Sequence, residues 1–173
     1  MEEAFARAGA DAWPLADRQI VVTQCARCHG FDGRGSQTGA FPNLALQDAD
    51  YLADMLADYA TGVKRSGIME TVARTLTARE IDMLAGYYAG MPSGPPPGTD
   101  APQAVVAAGR ELALEGDPAR DLQACAGCHG TVAAYEDAPY FPVLAGQYET
   151  YLDYRLRVWR TTRAPDDVWN RMM

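Results

Sequence analysis

Cys25-Ala26-Arg27-Cys28-His29 recurs as Cys125-Ala126-Gly127-Cys128-His129, 100 residues further on. Cys-x-x-Cys-His is the attachment signature of a c-type haem. The two thiols add to the porphyrin vinyl groups, and the adjacent imidazole turns onto the iron. Two sulfurs about one helical turn apart reach two corners of one macrocycle, which is why the chemistry needs this spacing. The motifs consume all four cysteines and both histidines of the chain. Nothing remains for a disulfide or a second histidine ligand. A zinc ribbon pairs its Cys-x-x-Cys knuckles about 15–20 residues apart, and a thioredoxin-like pair needs a βαβ context that this sequence lacks. Cys25, Cys28, Cys125 and Cys128 are therefore the expected thioether positions. His29 and His129 are the expected axial ligands of two covalent haems.

The repeat divides the 173 residues into two units, 1–91 and 103–173, joined by a Pro/Gly-rich linker at 92–102. Proline removes backbone donors and glycine adds freedom, so the linker holds neither helix nor strand. Halves of this size are marginal for a hydrophobic core alone, and a flat apolar cofactor would supply much of each core. The net charge of −8 disfavours binding to nucleic acid or anionic membrane and favours a redox partner with a basic docking face. No run of 18 apolar residues marks a transmembrane span. The Met1-Glu2-Glu3 start carries no secretory signal. Haem is attached to this motif outside the bacterial cytoplasm, so the sequence reads as the mature form of a periplasmic protein.

The pattern is helical throughout. A helix over Ala16–Gln24 leads into the first haem motif. Asp50 is the expected N-cap of a helix whose apolar stripe is Tyr51, Leu52, Met55, Leu56 and Tyr59. Thr77-Ala78-Arg79-Glu80 is a capping box, opening a helix with Ile81, Leu84, Ala85 and Tyr88 on one face. The second half follows the same order. Val105, Ala108 and Leu112 mark its leading helix, Phe141-Pro142 answers Phe41-Pro42, and Tyr151-Leu152 answers Tyr51-Leu52 in a helix through Leu156 and Trp159. The Thr77 helix has no counterpart before Met173. The expectation is that the native chain extends further or that another chain supplies that surface.

With both histidines used, the sixth iron position falls to methionine, lysine, a weaker group or nothing. Thioether sulfur favours ferrous iron and raises the potential. Met69 stands 40 residues after His29, in a Gly67-Ile68-Met69 loop, and is the expected ligand of the first haem. Met55 and Met83 fall inside helices and read as packing residues. In the second half the candidates are Met172 and Met173. Aligning Ile68-Met69 with Met172-Met173 favours Met173.

These residues resemble the dihaem class I cytochromes c of the cytochrome c4 type. The likeness runs from about Ala16 to Met173. It rests on the paired haem motifs, on Phe41-Pro42-Asn43-Leu44 and Phe141-Pro142-Val143-Leu144-Ala145-Gly146-Gln147, and on the Met-x-x-x-Ala-x-x-Leu-Thr pattern at Met69–Thr77. The second copy is also similar to the dihaem cytochrome subunit of flavocytochrome c sulfide dehydrogenases. The resemblance implies an all-α fold of two tandem class I cytochrome c domains. It also implies that the Pro42 and Pro142 carbonyls accept the Nδ1–H of His29 and His129, tuning the axial ligand. A plain turn role for those prolines is the competing reading.

Arg155, Arg157, Arg160 and Arg163 could pair with haem propionates, form a docking patch, or line a solvated helix face. Tyr51 and Tyr151 read as core residues. The implied function is single-electron transfer between redox partners in a respiratory or photosynthetic chain. The protein is then a diffusible shuttle or a cytochrome subunit docked to a dehydrogenase or oxidase, membrane-bound complexes included. The less favoured alternative is a haem enzyme or gas sensor, which needs an open sixth position beside an acid/base group; no spare histidine or cysteine supplies that group, and only the unusual C-terminal end keeps the alternative open.

Overall fold

The computed structural model describes residues 1–36, 38–130 and 141–162. Met172, Met173 and Arg163 lie outside them. Nine α-helices are described: α1 (Glu2–Arg7), α2 (Leu15–Ile20), α3 (Ala26–His29), α4 (Ala49–Thr61), α5 (Met69–Ala73), α6 (Ala78–Ala89), α7 (Gln103–Glu115), α8 (Ala126–His129) and α9 (Glu149–Thr162). The described residues hold no strand, only an isolated bridge between Asp117 and Leu122. Residues 92–102 carry no helix, as their prolines and glycines require. No helix among the described residues is long and apolar enough to cross a membrane.

The expected helix from Ala16 to Gln24 is divided. α2 passes at Val21 into a π-helical turn, Val21–Cys25, which feeds straight into α3. The cap of α4 is Asp48, not Asp50: its carboxylate accepts the Asp50 N–H at 2.8 Å. Two aspartates two residues apart can both cap, and the one at the extended residue before the first turn does so. The capping box of α6 is present as expected, with Glu80 Oε2 accepting the Thr77 N–H at 2.7 Å and Thr77 Oγ1 accepting the Glu80 N–H at 3.3 Å.

α4 lies against α6, and the core gathers there. Leu52, Ile81, Leu84, Ala85, Tyr87 and Tyr88 are buried, with Val21 and Ala45 alongside. The short α1 adds Phe5, wedged between Phe31 (centroids 6.3 Å apart) and Tyr87 (5.5 Å) in the tilted and edge-on arrangements that aromatic quadrupoles favour. Tyr87 also donates its hydroxyl to the Phe31 carbonyl at 2.9 Å. In contrast, α7 has no buried residue. Leucines and valines at helical spacing thus form a core where a second helix covers them. On α7, Val105 and Leu114 stay exposed at 60% and 44%.

The two halves meet along a seam built from matching positions. Gln47 donates from Nε2 to the Val143 carbonyl (2.9 Å) and accepts the Val143 N–H on Oε1 (2.9 Å). Gln147 donates from Nε2 to the Asn43 carbonyl (3.0 Å) and accepts the Asn43 N–H on Oε1 (2.9 Å). Each glutamine therefore satisfies both backbone groups of one residue in the opposite half. Both glutamines are buried at 7% exposure, so these amides would be costly to leave unpaired. Tyr148 adds a hydroxyl to the Arg34 carbonyl at 2.7 Å.

Candidate haem sites

Each cysteine motif ends in one helical turn closed by a glycine. α3 stops at Gly30 (φ 77) and α8 at Gly130 (φ 67), a left-handed-side φ that L side chains rarely adopt. The chain then returns so that a proline carbonyl faces the imidazole thirteen residues on. His29 Nδ1 stands 3.2 Å from the Pro42 carbonyl, and His129 Nδ1 stands 2.9 Å from that of Pro142. A carbonyl only accepts, so Nδ1 is the protonated nitrogen of both rings. Phe41 meets the His29 ring edge-on at 6.0 Å and 68°, and Phe141 meets that of His129 at 5.8 Å and 69°. The same triad of Phe, Pro and His is thus built twice.

Gly35 permits the first of these returns. It has φ 69, and a Cβ there would come within 2.3 Å of the Phe41 carbonyl oxygen and 2.6 Å of the Pro42 oxygen. Its own N–H donates to the His29 carbonyl at 2.8 Å. Both histidines are buried at 7% exposure, and burial pushes His29 below the usual imidazole range, partly countered by the Pro42 carbonyl. A neutral ring with Nδ1–H engaged leaves the lone pair on Nε2. In His129 that nitrogen is buried and has no hydrogen-bond partner among the described residues. An unpartnered imidazole lone pair held by a hydrogen bond at its other nitrogen is what iron takes. The residues fit a haem ligand. No cluster of three or more His, Cys, Asp or Glu suited to a metal ion occurs among the described residues.

The four cysteines are unpaired with one another. Burial pushes the Cys25 thiol up to about 11. Met69 departs from the expected loop: it opens α5, half-buried, with its N–H on Ser66 Oγ at 3.2 Å. Ser66 in turn gives its N–H to Glu70 at 2.8 Å, so the helix start is held from both sides. Met83 packs against the core as expected. Met55 instead meets the Lys64 ammonium through its sulfur.

Lys64, the one lysine of the chain, is half-buried, and burial pushes it down to about 8, with Arg155 acting in the same direction and Asp58 against it. Arg155 of α9 also acts on Tyr59 and Tyr151. Of the expected arginine cluster, Arg155 therefore turns to the seam, whereas Arg157 is tied to Asp153 on its own helix at 2.7 Å. Tyr51 and Tyr151 are half-buried, and burial pushes Tyr151 up to about 12. The sequence reading passed over Asn43, Gln47 and Gln147. The available signal was that Gln47 and Gln147 recur at the haem-motif offset.

An all-helical chain with buried imidazoles presented after paired cysteines is a haem-binding electron-transfer protein. The cytochrome c family model matches residues 18–103. A thiosulfate dehydrogenase electron acceptor of Thiomonas intermedia (strain K12) is 35% identical over 153 residues, 86% of this chain and 67% of that relative. A cytochrome c4 of Thiocapsa roseopersicina is 32% identical over 161 residues, 92% of this chain and 81% of that protein. Among solved structures, a thiosulfate dehydrogenase from Marichromatium purpuratum superposes with a TM-score of 0.71 at 33% identity; the match covers 87% of this chain and 34% of that one, about a third of its length. The chain belongs to the cytochrome c family, of the cytochrome c4 type, whose members carry covalent haem c and transfer electrons.

Proposed function

We propose that this chain is a dihaem carrier that takes electrons from a sulfur-compound dehydrogenase and passes them on, acting as that enzyme's acceptor rather than as a catalyst. The domains are 1–91 and 103–173 with the linker at 92–102. Cys25 and Cys28 anchor one haem and Cys125 and Cys128 the other. When bound, haem c supplies a one-electron iron couple. His29 and Met69 would hold the iron in the first half. His129 and Met173 would hold it in the second, with Met172 the alternative there. Pro42 and Pro142 hold the imidazoles by their carbonyls, so each ring would keep one orientation in both oxidation states. Lys64 and Arg155 would offer positive charge to the propionates. The acceptor role rests on the thiosulfate dehydrogenase acceptor among the relatives. The acidic surface favours a donor with a basic docking face, in a periplasmic setting.

The observation that carries the reading is the duplicated His–Pro contact, 3.2 and 2.9 Å, behind two complete Cys-x-x-Cys-His motifs. A pyridine haemochrome assay on denatured protein tests it. The expected result is a haem-to-chain ratio of two, with the haem resisting acid–acetone extraction. A ratio of one, or extractable haem, would overturn it.

A further inference from the structure

The Pro42–Asn43 peptide group carries two hydrogen bonds that point in opposite directions. Its carbonyl faces His29 Nδ1 at 3.2 Å, and its N–H, that of Asn43, donates to Gln147 Oε1 at 2.9 Å. The Pro142–Val143 peptide repeats this. Its carbonyl faces His129 Nδ1 at 2.9 Å, and its N–H donates to Gln47 Oε1 at 2.9 Å. Each proximal imidazole is therefore joined, through one peptide group, to a glutamine of the opposite half.

A peptide is a resonance unit. An acceptor on its N–H withdraws the proton partially, shifts electron density toward the carbonyl oxygen and makes that oxygen a better acceptor. Hydrogen bonds chained this way polarise one another by about 10–30% per bond. Here the stronger carbonyl would pull harder on the imidazole Nδ1–H, giving the ring more imidazolate character and making its Nε2 a stronger donor to iron, which favours the ferric state. The first arm is the better shielded: Asn43 and Gln147 are 4% and 7% exposed and the bonds between them are buried, whereas in the second arm Gln47 is 7% exposed and Val143 is half-buried. The second amide atom of each glutamine fixes it in place, Nε2 of Gln147 on the Asn43 carbonyl and Nε2 of Gln47 on that of Val143.

We infer that Gln147 and Gln47 are crossed positioning residues, each lowering the reduction potential of the haem in the opposite half through the peptide that holds its axial histidine. The inference rests on the assignment of His29 and His129 as axial ligands. It makes the seam between the halves part of both redox centres: loosening it raises both potentials together.

Gln147→Met keeps the length of the side chain and removes its two hydrogen bonds with Asn43, along with the one its Oε1 accepts from the Tyr148 N–H at 3.1 Å. With the two potentials assigned separately, by following the haem methyl resonances through an oxidation titration, the first haem should shift toward the reduced state by about threefold in its equilibrium constant, about 28 mV at 59 mV per tenfold. The second haem, in the half that carries the substitution, should move less. The His29 Nδ1–H resonance of the reduced protein should move upfield while that of His129 stays. Gln47→Met is the mirror experiment, raising the second haem, and it carries the test alone if Gln147→Met does not fold. Gln147→Glu, read with its carboxyl protonated, keeps an acceptor for the Asn43 N–H and should leave the first haem unchanged. Equal shifts of both haems, a shift confined to the substituted half, or a Gln147→Glu shift as large as that of Gln147→Met would overturn the relay. A haem count below two in the unsubstituted protein would instead overturn the reading on which it stands.

Discussion

The chain enters its two haem motifs in different ways. In the first half α2, the π-helical turn and α3 run on without a break from Leu15 to His29. In the second, α7 stops at Glu115. Gly116 takes φ 73, with no room for a Cβ, which would lie 2.4 Å from the Leu122 carbonyl oxygen. Pro118–Arg120 then forms a single 3-10 turn, closed by the bridge from Asp117 to Leu122, before Cys125. Gly116-Asp117-Pro118 is a helix-stopping sequence, and residues 16–18, Ala-Asp-Arg, are not. Yet beyond the motif the two sites agree closely. The Phe–His centroid distances are 6.0 and 5.8 Å, and the ring angles are 68° and 69°. The imidazole keeps the same contacts with Phe and Pro whichever way the chain approaches the cysteines. The approach is free to serve packing instead, and in the first half it does.

The largest test of that division is a pair of truncations. Leu84 of α6 is 1% exposed and Val105 of α7 is 60% exposed. Leu84→Ala should cost about 2–5 kcal/mol, the transfer term plus the cavity left behind. Val105→Ala should stay within about 0.5 kcal/mol. Urea unfolding, with the midpoints compared at unchanged slope, separates them. A Val105→Ala cost close to that of Leu84→Ala would mean that α7 is covered in solution.

A smaller effect sharpens the comparison at the starts of α4 and α9. The first half has Asp48, which caps α4. The matching Tyr148 cannot cap, and its hydroxyl reaches the Arg34 carbonyl of the other half. Asp48→Ala should cost about 1 kcal/mol. Tyr148→Phe should cost about 0.5–1.5 kcal/mol. The two should differ in place: amide exchange should quicken along α4 in the first variant, and at Asn43 and Val143 in the second. If Tyr148→Phe leaves those two amides unchanged, the tyrosine does not help hold the seam.

Local signals carried much of the fold. The Thr77–Glu80 box and the Ile81, Leu84, Ala85, Tyr88 face form as their spacing dictates, because a helix terminus and its stripe are decided within a few residues. The choice of Asp48 over Asp50 was not legible, since both have the same capping chemistry and only the backbone angle separates them. The position of Met69 at the start of α5 was obscured by Gly67, which reads as a loop. Of the site, the histidines and prolines were legible from the motif and the family resemblance. The crossing of the glutamines was not: Gln47 and Gln147 recur at the haem-motif offset, but that offset does not say that their partners lie in the opposite half, 96 and 104 residues away.

The smallest expected effect separates the two approaches by pH. Asp17 of α2 holds Arg79 of α6 through two oxygens, at 2.5 and 3.1 Å, across 62 residues. The matching Asp117 holds Arg120, only three residues on, at 2.5 Å. In both, the hydrogen bond from the arginine sets the carboxyl below the usual aspartate range. A lowered folded value means that the carboxylate stabilises the fold above the unfolded pKa of about 3.9, and that this stability is lost as pH falls through the lower folded value. Asp17→Asn should therefore lower Tm at pH 7, and the gap to the unsubstituted protein should close as pH drops below 3.9. Asp117→Asn should show a weaker pH dependence. Its pair is local enough to persist in part in the unfolded chain, so folded and unfolded values differ less. Melting curves from pH 7 down to about 2.5 decide it. Equal pH dependence for the two variants would show that the local pair is as much a product of folding as the one that ties α2 to α6.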